Sequence, residues 1–278
     1  MQKKIFMPEI GEKPYVFGTH SAELERLGLQ HRVWRPDVTD AWRRAGFTAG
    51  QTILDLGSGP GFLSMDLAEI VGPEGRVIAL DRSSDFLNYL DSQSKKNGLQ
   101  NISTHCVNLD EDEIPGDALD GAYARWLFAF LRNPKKLLER VVKNLRVGGT
   151  IVLHEYFHYH TFGFTSPSPA FDVFIAAVLK GWYAEGGKPD IAPELLTWCQ
   201  ELGLRIESVK PIVHIVSPEN YIWQWPKSFV EVSPWRLADL GFMTKSEVEA
   251  LQQEFSTFEK DGHTRIITPA VLEIIAKK

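Results

Sequence analysis

The sequence predicts an α/β protein whose mainly parallel sheet is covered by helices on both faces. Three observations carry this prediction: short apolar runs alternate with helix-like stretches from residue 52 onward, a glycine-rich loop follows the first run, and 44% of the 278 residues are hydrophobic. Strands that alternate with helices are joined by right-handed crossovers and therefore run parallel. This length and apolar content suffice for a large buried core without disulfides or metals.

The periodicity of apolar residues places the individual elements. Strands are predicted at 52–56, 76–81, 102–107, 121–124 and 150–156. Helices are predicted at 21–34, 38–45, 62–70, 84–96, 135–145 and 193–202, with helical character near 245–258. Pro36 is expected to end the first helix, because proline lacks a backbone N–H. Two β-rich segments, 204–216 and 264–276, should supply the last strands.

These elements divide the chain into three regions. Residues 1–50 are expected to form an N-terminal helical lid, and residues 51–160 the ligand-binding core. Residues 161–278 should complete the same domain with its last two strands and an insertion at about 217–263. Long excursions between strands often cover one end of a sheet, so the insertion is interpreted as a substrate cap.

Composition narrows the class of partner. A net charge of −6 and a pI near 5.8 argue against a dedicated nucleic-acid binder, which normally has a basic face. Two cysteines are too few for a disulfide framework. We see neither a secretory leader nor an apolar run of membrane-spanning length, so we expect a cytoplasmic protein without a membrane partner. Nothing in the sequence favours one oligomeric state over another.

The glycine-rich loop is the most informative motif. In TILDLGSGPGFLSM, a strand runs into Gly57, Gly59 and Gly61 and then directly into a helix. Glycines let the backbone approach a ligand, and the helix start offers free N–H donors. Phe62 stands where a dinucleotide fingerprint requires glycine. Asp81 ends the next strand, where a carboxylate can accept both hydroxyls of a ribose, so the pair indicates a nucleoside-containing ligand.

Five motifs in order resemble those of the class I S-adenosylmethionine-dependent methyltransferases. After the two motifs above, VNLDEDEIP resembles the third-strand motif, ALDGAYARWLFAFLRNP the fourth-strand motif beginning at Asp120, and LRVGGTIVLHEY the turn into strand five. The resemblance implies a Rossmann-like seven-stranded sheet with its last strand antiparallel. It also implies S-adenosylmethionine across the carboxyl ends of strands one and two.

Twelve residues are expected to contact this cofactor on the strength of the resemblance. They are Tyr15, Gln30, Asp55, Gly57, Ser58, Gly59, Gly61, Asp81, Arg82, Leu109, Asp110 and Arg125. Asp110 stands where the family reaches the adenine. Asp55 could equally hold the glycine turn by accepting its amides. Arg125 is not universal in the family, and an N-terminal segment with Tyr15 and Gln30 is expected to close over the methionine part.

The expected reaction is methyl transfer to a small-molecule acceptor. The catalytic candidates lie in HEYFHYH. His158, His160 and Glu155 are expected to line the acceptor pocket, where a histidine can take a proton near neutral pH. No metal is expected, because Glu155 is the only further ligand nearby and would point to the other face. The alternatives are RNA or protein methylation and a non-catalytic cofactor-binding sensor. No Asn-Pro-Pro-Tyr motif of nucleic-acid amino-methylases follows strand four.

Overall fold

The computed structural model describes residues 21–278, and this range contains eight α-helices and ten β-strands. In chain order they are α1 (Ser21–Ala45), β1 (Thr52–Leu56), α2 (Phe62–Val71), β2 (Arg76–Asp81), α3 (Ser84–Lys96), β3 (Ile102–Cys106), β4 (Leu119–Arg125), α4 (Pro134–Asn144), β5 (Leu145–His158), β6 (Gly163–Phe164), α5 (Pro169–Ala184), α6 (Ala192–Glu201), β7 (Arg205–Ile212), β8 (Ile215–Val216), α7 (Gln224–Asp239), α8 (Lys245–Asp261), β9 (Ile266–Ile267) and β10 (Ala270–Lys277). Tyr15 lies outside the described residues.

The main sheet has seven strands in the order β3-β2-β1-β4-β5-β10-β7. The pairs among β1 to β5 are parallel, whereas β10 runs antiparallel to both of its neighbours, β5 and β7. The predicted fold class, including the antiparallel last strand, is confirmed. Strand order reverses between β1 and β4, and the crevice at such a point is where open α/β sheets bind ligands.

Side chains alternate across the sheet and build a core on each face. Leu54 and Leu56 of β1 pack with α4 and α6 on one face. Ile53 points to the other face, where it packs with Leu67 of α2 and Trp42 from the second half of α1. Both faces of the sheet are therefore covered by helices and shielded from water, as the near-continuous apolar strands at its centre require.

A third core covers the carboxyl end of β5. Helices α5, α7 and α8 pack with the first half of α1 and with Tyr156 and Tyr159 at the end of β5. We call this assembly the cap. A three-stranded sheet, β6-β9-β8, joins it from the loops on either side. Among the described helices, none is long and apolar enough to cross a bilayer.

The predicted break at Pro36 is wrong. Helix α1 continues through this exposed proline to Ala45. Trp34 and Trp42 are 2% and 0% exposed on either side of it, and burying two such side chains offsets the roughly 3 kcal/mol that an interior proline costs. A deletion of residues 1–34 would therefore remove core side chains as well as the predicted lid.

The C-terminal part differs from the prediction in detail. The two β-rich segments each break into a short cap strand and a long sheet strand, giving β7 with β8 and β9 with β10. Helix α5 was not predicted. Its buried residues Phe171, Phe174 and Ile175 follow helical spacing, but apolar residues on its other faces, such as the exposed Val173, obscure this stripe. The predicted insertion contains α7 and α8.

Candidate active site

The glycine loop connects β1 with α2 and is held closely by its neighbours. Gly57 has a φ of 66°, and a Cβ there would lie 2.9 Å from the Leu127 side chain. Gly61 has a φ of 78°, and a Cβ there would overlap Leu90 of α3. Positive φ and these close contacts both require glycine. The loop is thereby fixed between the turn that follows β4 and helix α3.

Asp81 braces this loop from the end of β2. Its two carboxylate oxygens accept hydrogen bonds from the amides of Gly59 and Ser83, each at 2.8 Å. Burial raises the pKa of Asp81, and these amide bonds partly oppose the rise. A carboxylate can accept about four hydrogen bonds, so Asp81 could still accept hydrogen bonds from ribose hydroxyls. The predicted ribose contact stays a prediction.

Asp55 does not hold the glycine amides, contrary to one of its two expected roles. Its carboxylate instead accepts the hydroxyl of Ser64 at 2.5 Å and so ties β1 to α2. Burial raises the pKa of Asp55 to about 6. Because the side chain is 2% exposed, we interpret it as a brace beneath the loop.

The three remaining residues that are predicted to contact the adenosine part of the cofactor follow β2 and β3. Asp110 accepts the amides of Arg132 and Asn133, both at 2.9 Å, and thereby anchors the start of α4. Leu109 packs in the core beside α4, and Arg82 is exposed. Contact of these three residues with an adenine stays a prediction.

Five buried polar atoms without hydrogen-bond partners belong to the glycine loop, to the first half of α1 and to residues 125 and 126 at the end of β4. They are Ser58 Oγ, His31 Nδ1, Trp34 Nε1, Arg125 Nη1 and Trp126 Nε1, each unpaired within the part of the chain that the structure describes. Most buried polar groups in native proteins are hydrogen-bonded, so such a concentration needs an explanation. A polar ligand that binds beside the loop would supply the missing partners.

Trp126 is central to this group and is conformationally strained. It has a φ of 51°, which is rare for a bulky residue and typical of functional positions. Its ring stacks on Tyr156 at 5.3 Å and on Trp225 at 5.8 Å, and Trp34 meets it edge-on at 5.2 Å. The Arg125 guanidinium lies 4.9 Å from the same ring. Aromatic rings and one cation therefore form the wall between sheet and cap.

Helix α1 forms the other side of this wall. The His31 ring stacks on Phe62 at 5.6 Å, at the start of α2. Desolvation by burial lowers the pKa of His31 to about 4, so the ring is neutral at physiological pH. Gln30 accepts hydrogen bonds from Arg26 at 3.2 Å and from the Trp225 indole at 3.1 Å. Gln30 thus links α1 to the cap, and its predicted cofactor contact stays a prediction.

Glu155 has a structural role that the sequence did not indicate. Its side chain is 0% exposed, and one carboxylate oxygen accepts the amides of Leu127 and Phe128, both at 2.7 Å. These amides belong to the turn that presses Leu127 against Gly57. Glu155 therefore positions Leu127, the neighbour of the glycine loop, through one carboxylate oxygen. Its predicted place in the acceptor pocket stays a prediction.

Glu155 should make stability pH-dependent. Burial raises the pKa of its carboxyl to about 8 against the opposing effect of backbone amide bonds, whereas the unfolded value is about 4.3. The folded state binds the extra proton between these values, so the free energy of unfolding falls as pH rises through this window. Glutamine cannot take up this proton, so the free energy of unfolding of Glu155→Gln should not fall in the same way. Measured by urea unfolding from about pH 5 to 8, the variant should gain stability relative to the wild type by at most about 1.4 kcal/mol per pH unit. If the unfolding free energies of the two proteins change with pH in parallel, Glu155 does not have a raised pKa in the folded state.

The predicted histidines lie at the outer end of β5. His158 and His160 are exposed, and their ring centroids are 5.3 Å apart. The expectation that no third ligand lies nearby is wrong, because the structure brings Asp190 to both rings. Asp190 lies 30 residues beyond His160 in a loop before α6, where no local spacing could indicate it.

Comparison with known proteins supports the resemblance found in the sequence. Residues 47–163 match a family model described as a methyltransferase domain. This part of the chain is similar to the class I S-adenosylmethionine-dependent methyltransferases. The match covers the glycine loop, Asp81, Arg125 and Glu155, so the resemblance seen in the sequence is confirmed. S-adenosylmethionine is the methyl donor of these methyltransferases.

Two relatives and one solved structure illustrate the likeness. A ubiquinone/menaquinone biosynthesis C-methyltransferase of Vibrio campbellii is 29% identical over 130 residues, which are 46% of this chain and 49% of that protein. A demethylmenaquinone methyltransferase of Oceanobacillus iheyensis is 28% identical over 62% of this chain and 68% of that protein. The chain thus spans about half the length of the first relative. The structure of an S-adenosylmethionine dependent methyltransferase from Mesorhizobium loti shares the fold, with a TM-score of 0.55 and 18% identity over 90% of this chain and all of that one.

Proposed function

We propose that the protein transfers the methyl group of S-adenosylmethionine to a small, partly apolar acceptor. The observation that supports this most is the group of unpaired buried polar atoms beside the glycine loop, walled by aromatic rings. It lies at the strand-order reversal, where this fold class binds ligands. The polar atoms suit the cofactor's methionine part, and the rings suit the acceptor.

Three parts of the chain would hold the cofactor. The Asp81 carboxylate would accept ribose hydroxyls while it keeps the Gly59 amide, and the loop backbone would approach the ligand closely. The unpaired Nη1 of Arg125 would donate to the methionine carboxylate. When bound, S-adenosylmethionine supplies a methyl group on a positively charged sulfur.

The cap supports an apolar, ring-containing acceptor. Trp34, Trp126, Tyr156 and Trp225 present stacked and edge-on rings to one region between sheet and cap. Flat apolar walls with few polar groups suit a small molecule better than a long polyanion. The relatives from Vibrio and Oceanobacillus are named for the biosynthesis of quinones and the methylation of demethylmenaquinone, which agrees with an aromatic acceptor.

The protein's part in the transfer is to position the reactants and exclude water. Alignment of nucleophile and methyl group can supply much of the rate enhancement. A base is needed only where the acceptor must lose a proton, and His158 or His160 stays the predicted base for that step. Cys106 and Cys199 are free thiols, which suits a reducing compartment, and we place the enzyme in the cytoplasm.

Turnover with tritiated S-adenosylmethionine tests the proposal. The protein is incubated with three acceptor pools: a solvent extract containing quinone precursors, total RNA and denatured protein. Label is expected only in the solvent-extractable small molecules, and the Asp81→Ala variant serves as the matched control with reduced incorporation. Label in RNA or protein would contradict the acceptor class, and cofactor binding without any transfer would favour a sensor.

A further inference from the structure

The turn that follows β5 presents two histidines on a rigid base. The residues Tyr159–Thr161 form a short 3-10 helix, and Tyr159 is 4% exposed. Its ring packs edge-on against Tyr156 at 4.9 Å and Trp182 at 5.2 Å. Because the buried Tyr159 ring fixes the turn, its neighbours His158 and His160 are both held on the solvent side.

Asp190 completes a group of three from a separate segment. Its Oδ1 accepts the backbone amide of Tyr159 at 2.7 Å, which locks the carboxylate against the same turn. One potential ligand atom each from His158, His160 and Asp190 lies within 4.8 Å of the others. Such a hydrogen bond to a ligating carboxylate is the usual way in which proteins orient metal ligands.

We propose that His158, His160 and Asp190 form a binding site for a first-row divalent transition metal of the Zn²⁺ type. Two imidazole nitrogens and one carboxylate oxygen are a ligand set that suits such ions, whereas Mg²⁺ and Ca²⁺ prefer oxygen alone. In a tetrahedral site, two ligand atoms that are each about 2.1 Å from the metal lie about 3.4 Å apart. The ligand atoms here lie within 4.8 Å of one another, so metal binding requires them to approach by up to about 1.4 Å. Rotation of the two exposed imidazoles can supply this movement.

The site would keep an open coordination position. Three protein ligands leave room for a water or for an oxygen of another molecule, as in catalytic zinc centres. The turn borders the cap through Tyr159, so the open position faces solvent at the cap's outer edge. A ring that binds metal is not a free base, so this site is the alternative to the predicted proton-accepting role of the same histidines.

Metal titration of the full chain without an affinity tag tests the site. Metal-free protein is titrated with ZnCl₂ by calorimetry, and with CoCl₂ by visible absorption, which reports the geometry of the coordination. One equivalent per chain is expected. His160→Gln and Asp190→Asn should each weaken binding by about tenfold or more, and Asn at position 190 can still accept the Tyr159 amide. The exposed His263→Gln is the matched control and should bind like the wild type.

Two results would overturn the inference. The first is absence of Zn²⁺ binding by the folded wild-type protein at about 100 μM metal. The second is equal affinity in the wild type, His160→Gln and Asp190→Asn, which would place the metal elsewhere. Since the titration needs neither cofactor nor acceptor, its outcome is independent of whether the proposed methyl transfer is correct.

Discussion

Asp81→Ala is expected to weaken binding of S-adenosylhomocysteine by about 10- to 150-fold. Loss of hydrogen bonds to a charged acceptor costs about 1.5 to 3 kcal/mol, and the variant also frees the Gly59 and Ser83 amides that Asp81 holds. Calorimetric dissociation constants measure the effect. Asp117→Ala, an exposed acidic residue in the loop before β4, is the control and should bind normally.

Asp81→Asn separates the two roles of this side chain. Asparagine keeps one acceptor oxygen for an amide but loses the charge and the second acceptor. We therefore expect an intermediate affinity and a smaller loss of thermal stability than in the alanine variant. If Asp81→Ala folds normally and its dissociation constant equals that of the wild type, the ribose does not bind here.

Arg125→Met is expected to weaken binding of S-adenosylhomocysteine by about 10- to 100-fold while leaving the ligand-free protein equally or more stable. The Nη1 atom is buried and unpaired within residues 21–278, and desolvation lowers the pKa of the guanidinium. Removal of an uncompensated buried polar group relieves a cost. Loss of its bond to the ligand carboxylate removes about 1.5 to 3 kcal/mol from binding.

The opposite directions of these two effects make the test specific. Substitution of a residue that only supports the fold would lower stability and leave the affinity of the folded protein unchanged. Thermal unfolding without ligand and calorimetry with ligand are therefore measured on the same samples, with the exposed Arg76→Met as control. An Arg125→Met protein that is less stable and binds normally would show that the guanidinium has a structural role alone.

The sheet and the glycine loop could be predicted because local chemistry determines both. Strands β1 and β2 and the buried part of β5 are apolar runs, and the loop needs positive φ at Gly57 and Gly61. Helix α1 shows the limit of such reasoning. Proline disfavours a helix locally, but burial of Trp34 and Trp42 decides the outcome, and burial depends on distant parts of the chain.

The parts of the candidate site that were missed depend on long-range contacts. Trp34 and Trp126 meet across 92 positions of sequence, and the strain at Trp126 has no signal in its residue type. Asp190 reaches His158 and His160 only because the chain returns to the end of β5. Glu155 was assigned to the acceptor pocket because its strand ends there, whereas its carboxylate turns inward to the Leu127 amide.

We infer that the crevice beside Gly57 is a cofactor site, with Asp81 at one end and Arg125 at the other. Calorimetric titration of the wild-type protein with S-adenosylhomocysteine is the decisive measurement. We expect saturable binding of one molecule per chain, reduced in both the Asp81→Ala and the Arg125→Met variants. If the folded wild-type protein gives no heat of binding with S-adenosylhomocysteine or with S-adenosylmethionine at millimolar concentration, the crevice is not a cofactor site.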